Sequence, residues 1–145
     1  MANKHFETLA LKAWGLHEEE IPPWQKTILK MTWKVLHKFV IHVIGITKEK
    51  ADTDLKKAEH FFEETDKLLA KNKFLLGTEE PTYLDISFAS MASLIVWPDQ
   101  YGGPNLSAES RFKITDFTLE VQKVIKKFRN TNSGKFVTRM YAEHR

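Results

Sequence analysis

The feature that most constrains the fold of this chain is the segment from Ile86 to Trp97, which contains no charged residue. It follows directly on Thr82-Tyr83-Leu84-Asp85 and is followed by Pro98. A Thr with an acid three residues later, in front of an apolar run, is typical of a capping box at the start of a helix. We therefore predict a helix that begins at Tyr83, ends near Trp97 because Pro98 cannot continue it, and lies at the centre of the fold.

Asp85 has two interpretations, a catalytic acid beside an apolar pocket or a structural cap. In a capping box the Thr82 hydroxyl accepts a hydrogen bond from the backbone N–H of Asp85, and the Asp85 carboxylate accepts one from the N–H of Thr82. The acid also meets the positive end of the helix dipole. If the helix is central, these backbone donors are buried and need partners. The spacing therefore favours Thr82 and Asp85 as a structural N-cap, whose loss costs on the order of 1–2 kcal/mol for the Thr alone.

Apolar residues recur at helical spacing along the rest of the chain, and no segment shows the alternation of a strand. The pattern predicts further helices from Phe6 to Gly15, from Trp24 to about Gly45, around Ala51–Leu69, after an N-cap at Ser107, and after Asn132. We expect an all-α bundle of five or six helices in a single domain over residues 1–145.

The predicted helix that begins at Trp24 has two apolar stripes, which predicts neighbours on two of its sides. The first stripe consists of Trp24, Ile28, Met31, Val35, Phe39 and Val43, and the second of Trp33, Leu36, Val40 and Ile44.

The segment FLLGTEEPTYLDISFAS resembles the part of glutathione transferases that enters the central helix of their C-terminal domain. The residues that carry the resemblance are Phe74, Leu75, Gly77, Thr82 and Asp85. The later segment FRNTNSGKFVTRMY is similar to a terminal helix of bacterial members. The resemblance implies a helical bundle like the C-terminal domain of a glutathione S-transferase (GST), in which the Thr and the Asp serve folding rather than chemistry.

In that family a thioredoxin-like domain precedes the helical half and supplies the glutathione-binding and thiol-activating residues. Nothing here corresponds to it, because the sequence starts directly with a helical pattern. The Glu-Ser dipeptide with which the family binds the γ-glutamyl group has a literal match at Glu109-Ser110, but we interpret this match as false because the pair starts a helix after a long loop instead of following a strand. The resemblance thus implies a stand-alone helical half without thiol-activating chemistry of its own and without catalytic residues. Glutathione is expected as a cofactor only if a thioredoxin-like domain is supplied separately, and whether the chain works in an enzyme stays open. The alternative is a docking or scaffolding module, the use made of such domains in translation factors and synthetase complexes.

The resemblance also implies where a ligand would bind. By position, Trp33, His37 and Tyr101 match the part of the family that lines the pocket for the electrophile. The competing interpretation is that Trp33 belongs to the core and His37 to the surface or an interface, and the residue types favour it.

Other site chemistries find little support in the sequence. There is no Cys, and His37 and His42 are five residues apart, which places them on different sides of a helix. The His17-Glu18-Glu19-Glu20 run is more typical of a solvated helix end, so we predict no metal site. Ser87, Ser90 and Ser93 lie in the central helix, where small residues allow close packing.

The expected partners are proteins. The net charge of +3 is too small to predict a nucleic-acid partner, and the basic stretch KKFRNTNSGKFVTR includes cations that stabilise a helix C-terminus. The N-terminus lacks the apolar core of a signal peptide, and no segment predicts a membrane span, so we expect a cytoplasmic protein. The resemblance implies a homodimer, or a separate thioredoxin-like domain as partner.

Overall fold

The computed structural model describes residues 21–45, 47–103 and 111–144, together with Leu9 and Lys12. Within residues 21–45, 47–103 and 111–144, five α-helices and one short 3₁₀ turn account for the regular structure, and these ranges contain no strand. The elements are α1 (Pro23–Ile44), α2 (Lys48–Leu69), α3 (Tyr83–Val96), the 3₁₀ turn Ile114–Asp116, α4 (Leu119–Arg129) and α5 (Asn132–Glu143). The prediction of an all-α fold is confirmed for this part of the chain. The predicted helix from Phe6 to Gly15, the His17–Glu20 run, Ser107 and the Glu109-Ser110 pair lie outside the described residues, apart from Leu9 and Lys12.

The contacts of the chain group into two compact units. The first comprises Met1–Asp52 and Leu106–Phe112, and the second comprises Thr53–Asn105 and Lys113–Arg145. The division falls within α2, so α1 belongs to the first unit, and α3, α4 and α5 belong to the second. A single domain over residues 1–145 stays a prediction.

Helix α1 exposes the first of its two apolar stripes, whereas the described residues of the second stripe are buried or partly buried. On the second stripe Trp33 is buried and Leu36 is partly buried. The first stripe is solvent-exposed along its whole length: Trp24, Ile28, Met31, Val35, Phe39 and Val43. We predicted neighbours on two sides, and among the residues that the structure describes none covers this stripe. Helical spacing specifies that a face is apolar but not what covers it, and this is the reason for the difference.

The second unit is organised around α3, which packs against α5 and α4. Its core is a continuous cluster of buried apolar side chains: Phe62, Phe74, Leu75, Phe88, Ala89, Ala92, Val96, Phe128, Phe136, Val137, Met140 and Tyr141. Aromatic rings dominate it, with the rings of Phe62 and Phe128 meeting edge to face at 4.6 Å between centroids. Such a contact stabilises by about 0.5–1.5 kcal/mol beyond the apolar area it buries.

Helix α4 begins later than the sequence predicts. Residues 111–113 are not helical, and the 3₁₀ turn at Ile114–Asp116 is closed by its own hydrogen bond from the Lys113 N–H to the Asp116 carboxylate at 3.0 Å. The N-cap of α4 is Thr118, whose hydroxyl accepts from the Val121 N–H at 3.5 Å. The prediction of one helix running from Ser107 was therefore wrong for residues 111–118, because Asp116 and Thr118 cap two separate elements.

Helices α4 and α5 meet at a tight corner. Thr131 caps α5, with the Gly134 N–H donating to its hydroxyl at 2.9 Å. A Cβ added at Gly134 would stand 2.0 Å from the Phe128 carbonyl oxygen and 2.8 Å from the Arg129 Cα. Only a residue without a side chain fits at this close approach of two backbones.

Candidate functional site

The carboxylate of Asp85 lies at the start of α3, is completely excluded from solvent, and accepts three hydrogen bonds. Its Oδ2 accepts from the backbone N–H of Thr82 at 2.8 Å and from the Thr82 hydroxyl at 2.6 Å. Its Oδ1 accepts from the backbone N–H of Leu75 at 2.8 Å. The reciprocal capping box between Thr82 and Asp85 is present. The bond to Leu75, ten residues earlier, was not foreseen from the sequence, and it ties the FLLG loop to the helix.

These hydrogen bonds decide the charge state of Asp85. Burial disfavours the charged carboxylate and acts to raise its pKa, but the hydrogen bonds from the Thr82 hydroxyl and from the Leu75 and Thr82 N–H groups outweigh this effect. Together they lower the pKa of Asp85 below its ordinary value of 3.8. An ionised, fully bonded carboxylate has no proton to donate and no exposed oxygen with which to accept one. Its chemistry is that of a structural cap.

Trp33 and His37, two of the three predicted ligand residues, lie one turn apart in α1. Their ring centroids are 5.4 Å apart with the planes tilted by 40°. Trp33 is only 4% exposed, and His37 is partly buried. This pair belongs to the first compact unit.

Tyr101, the third predicted ligand residue, belongs to the second unit. Its ring stacks on Trp97 at 4.4 Å between centroids and lies 6.4 Å from the ring of Tyr141. The structure thus brings Trp33 and His37 together in α1, and it places Tyr101 in an aromatic stack after α3.

That stack is held in place by the end of α3. Trp97 adopts the left-handed conformation that ends the helix, with φ of 52°. Arg129 of α4 donates to the Val96 carbonyl through Nε at 2.9 Å, and through Nη2 to the Trp97 carbonyl and to the Asp99 carboxylate. The guanidinium therefore satisfies carbonyls that the helix end leaves without partners.

The serines of α3 are arranged for packing. Ser93 is buried, and its hydroxyl donates to the Ser90 carbonyl one turn earlier at 2.6 Å. Ser87 is partly buried and Ser90 is exposed. A buried hydroxyl that is bonded to its own helix is a common way to satisfy a polar group between packed helices.

Asp66 and Ser133 form a polar junction between α2 and α5 that sequence reasoning missed. The Asp66 carboxylate accepts from the Ser133 N–H at 2.6 Å, from the Ser133 hydroxyl at 2.5 Å and from the Asn132 N–H at 3.3 Å. An acid from another helix thus caps α5 next to its own cap Thr131. No local pattern signals a partner 67 residues away.

A cavity of about 220 Å³ opens beside this junction, between the end of α2 and one face of α5. We call it the basic cavity; it is lined by Leu69, Asn72, Lys73, Asn132, Lys135, Phe136 and Arg139. The four residues from α5 have the spacing of a single helix face. Three of the seven lining residues are cations and none is an acid. Neither the cavity nor its lining residues were predicted as a site.

In the part of the chain that the structure describes, no group of three or more His, Asp or Glu side chains is arranged to hold a metal ion. None of the helices in that part is both long enough and apolar enough to cross a lipid bilayer.

Comparisons of the chain with known proteins gave no match to any family model, any curated protein or any solved structure.

Proposed function

We propose that this chain is a helical interaction module of the GST C-terminal type, which acts by binding protein and has no thiol-activating chemistry of its own. Its first partner is a second copy of the chain. The single observation that carries the proposal is the exposed apolar stripe of α1, in which six large side chains are each at least half exposed.

The size of the stripe supports a stable homodimer. Helix α1 has 22 residues, which at 1.5 Å per residue is about 33 Å of helix. The six side chains expose on the order of 800 Å², and about 800 Å² per partner is the standard size of a specific protein interface. Monomeric soluble proteins rarely leave an apolar patch of this extent uncovered.

The shape and charge of α1 fit self-association. A two-fold axis places the same stripe against itself, so an apolar face is its own complement. Lys30 is exposed and, by helical periodicity, lies on the half of α1 away from the stripe. Its charge would therefore stay in water when two stripes meet.

The association is tested by measuring the mass of the chain by light scattering over a range of concentrations. We expect a species of twice the chain mass of 16.9 kDa. A monomer that persists at high concentration would contradict the proposal.

The proposal that the chain has no thiol-activating chemistry of its own is tested by adding saturating glutathione and a chloronitrobenzene substrate. We expect no rise in melting temperature and no conjugation, because a ligand that binds the native state raises its stability by mass action. A clear shift or turnover by the chain alone would show that it carries a glutathione site.

A second candidate is the helical half of a GST-like protein that works beside a separate thioredoxin-like domain. The link between Asp85, Thr82 and Leu75 favours it, because these three residues stand in the segment that resembles the family and are joined by hydrogen bonds. Adding a purified thioredoxin-like domain of a glutathione transferase to the chain distinguishes the two candidate functions. Conjugation that appears only in the mixture supports the second candidate, and the same inactivity as before supports the interaction module.

A further inference from the structure

We propose that the basic cavity is a binding site for a phosphate-type dianion, either free phosphate or the phosphate group of a small monoester. The proposal is independent of the interaction through α1, since every lining residue of the cavity belongs to the second compact unit.

The charges around the cavity are uncompensated. Lys73, Lys135 and Arg139 line it, and none of these three cations has a carboxylate within 4.0 Å in the described chain. Asp66 lies at the same helix end, but its oxygens already accept from Ser133 and Asn132. Three cations around one small cavity repel each other, and an anion placed between them relieves this repulsion.

Arg139 is held in position for such an anion. Its Nη2 donates to the carbonyl of Lys73 at 2.5 Å, and its guanidinium lies over the rings of Phe74 and Phe136 at 5.5 and 5.3 Å. These contacts fix the plane of the group before any ligand arrives, so little side-chain entropy is lost on binding.

The Nε of Arg139 is not satisfied by the described part of the protein. It is buried and has no hydrogen-bond partner among the described residues. A buried charged donor without an acceptor costs more than an ordinary unmade hydrogen bond, and such groups in native structures are normally satisfied by the protein, a water or a ligand. The described protein therefore leaves the guanidinium of Arg139 only partly satisfied.

The donor set favours phosphate over a single carboxylate. Besides the three cations, the side-chain amides of Asn72 and Asn132 line the cavity and offer neutral N–H donors. A tetrahedral dianion presents several acceptor oxygens in different directions, whereas a carboxylate presents two in one plane. The volume of about 220 Å³ holds a phosphate group together with a small organic body.

The test is a calorimetric titration of the full chain with inorganic phosphate and, separately, with glycerol 3-phosphate, at constant ionic strength. Lys135→Ala removes one exposed cation from the cavity, and Lys123→Ala removes one exposed cation from α4 outside it. The two variants have the same net charge, so any general effect of salt is the same in both. We expect binding by the wild type, affinity reduced at least fivefold in Lys135→Ala, and unchanged affinity in Lys123→Ala.

Arg139→Lys keeps the charge but removes the planar guanidinium with its fork of donors, and we expect it to lose affinity as well, with the fold checked by circular dichroism. Equal binding of both probes assigns recognition to the phosphate group, and binding of inorganic phosphate alone assigns the site to the free ion. The proposal is overturned if the wild type binds neither probe at millimolar concentration, or if Lys135→Ala and Lys123→Ala bind alike.

Discussion

The carboxylate of Asp85 accepts a hydrogen bond from the backbone N–H of Leu75 at 2.8 Å, and thereby joins the first turn of α3 to the loop that precedes it. Both residues are buried. One side chain therefore accepts hydrogen bonds from the helix end and from the loop together. This arrangement makes Asp85 a determinant of stability.

Replacing Asp85 by Ala removes the acceptor of the buried Leu75 N–H and of two partly buried donors, the Thr82 N–H and the Thr82 hydroxyl. The buried donor left without a partner costs roughly 1–3 kcal/mol and the lost cap at Thr82 costs about 1 kcal/mol, so we expect a loss of about 2–4 kcal/mol in the free energy of unfolding. Urea denaturation followed by circular dichroism measures it. Asp54→Ala is the control, because the Asp54–Lys57 pair is exposed and contributes less than about 1 kcal/mol. Equal unfolding free energies for Asp85→Ala and the wild type would contradict the role of Asp85 as a buried cap.

The lowered pKa of Asp85 predicts how stability depends on pH. Because the pKa is lower in the folded state than the ordinary value of 3.8, the unfolded chain binds the proton more readily. The stabilisation is therefore fully present above pH 4 or so, and it is lost as the pH falls through the folded-state pKa. We expect Asp85→Asn, which cannot ionise, to lose less unfolding free energy than the wild type when the pH is lowered from about 5 to about 2. Urea denaturation at several pH values measures the free energy of unfolding of both proteins as a function of pH. Parallel curves for the wild type and Asp85→Asn would contradict a lowered pKa of Asp85 in the folded state.

The start of α3 was predictable because all of its signals are local. Thr82 and Asp85 are three residues apart, so the capping geometry follows from spacing alone. The end of α3 was also predictable, since Pro98 cannot continue a helix. The observed bounds, Tyr83 and Val96, differ from the predicted ones by a single residue at the C-terminus.

The contacts that sequence reasoning missed are those between distant elements. Asp66 and Ser133 are 67 residues apart, and nothing near either residue marks the other. The same holds for the basic cavity, which exists only because α5 brings Lys135 and Arg139 beside Lys73. The interpretation of Trp33, His37 and Tyr101 as one ligand site rested on the family resemblance, and it stays a prediction.

The close approach at Gly134 predicts a severe effect of a single methyl group. Gly134→Ala gains about 1 kcal/mol in helix propensity, but its Cβ would stand 2.0 Å from the Phe128 carbonyl oxygen. The obstacle is backbone, so α4 and α5 have to separate, and we expect a net loss of about 2 kcal/mol or more. Thermal and urea denaturation measure it. Lys135→Ala, at the exposed neighbouring position, is the control and should change stability by about 0.5 kcal/mol or less. If Gly134→Ala were as stable as the wild type, the backbones of α4 and α5 would not pack as closely at Gly134 as the structure shows.

The exposed stripe of α1 predicts that a single charge abolishes self-association. Val35 lies in the middle of the stripe and is 74% exposed, so Val35→Glu does not disturb the fold of the monomer. In a dimer the carboxylate would be buried against its own symmetry copy, and two desolvated like charges are strongly unfavourable. We expect light scattering to give the dimer mass for the wild type and the monomer mass for Val35→Glu at the same concentration.

Lys30→Gln is the matched control for this substitution. It changes the net charge by the same amount, lies on the other half of α1 and is exposed. We expect it to remain a dimer, and urea denaturation should give Val35→Glu and Lys30→Gln the same monomer stability. If both variants dissociate, net charge rather than the stripe controls assembly. If neither variant dissociates while the wild type is a dimer, the copies meet through another face. The next surface to substitute is then the uncharged outer side of α3, where Tyr83, Met91 and Leu94 are exposed.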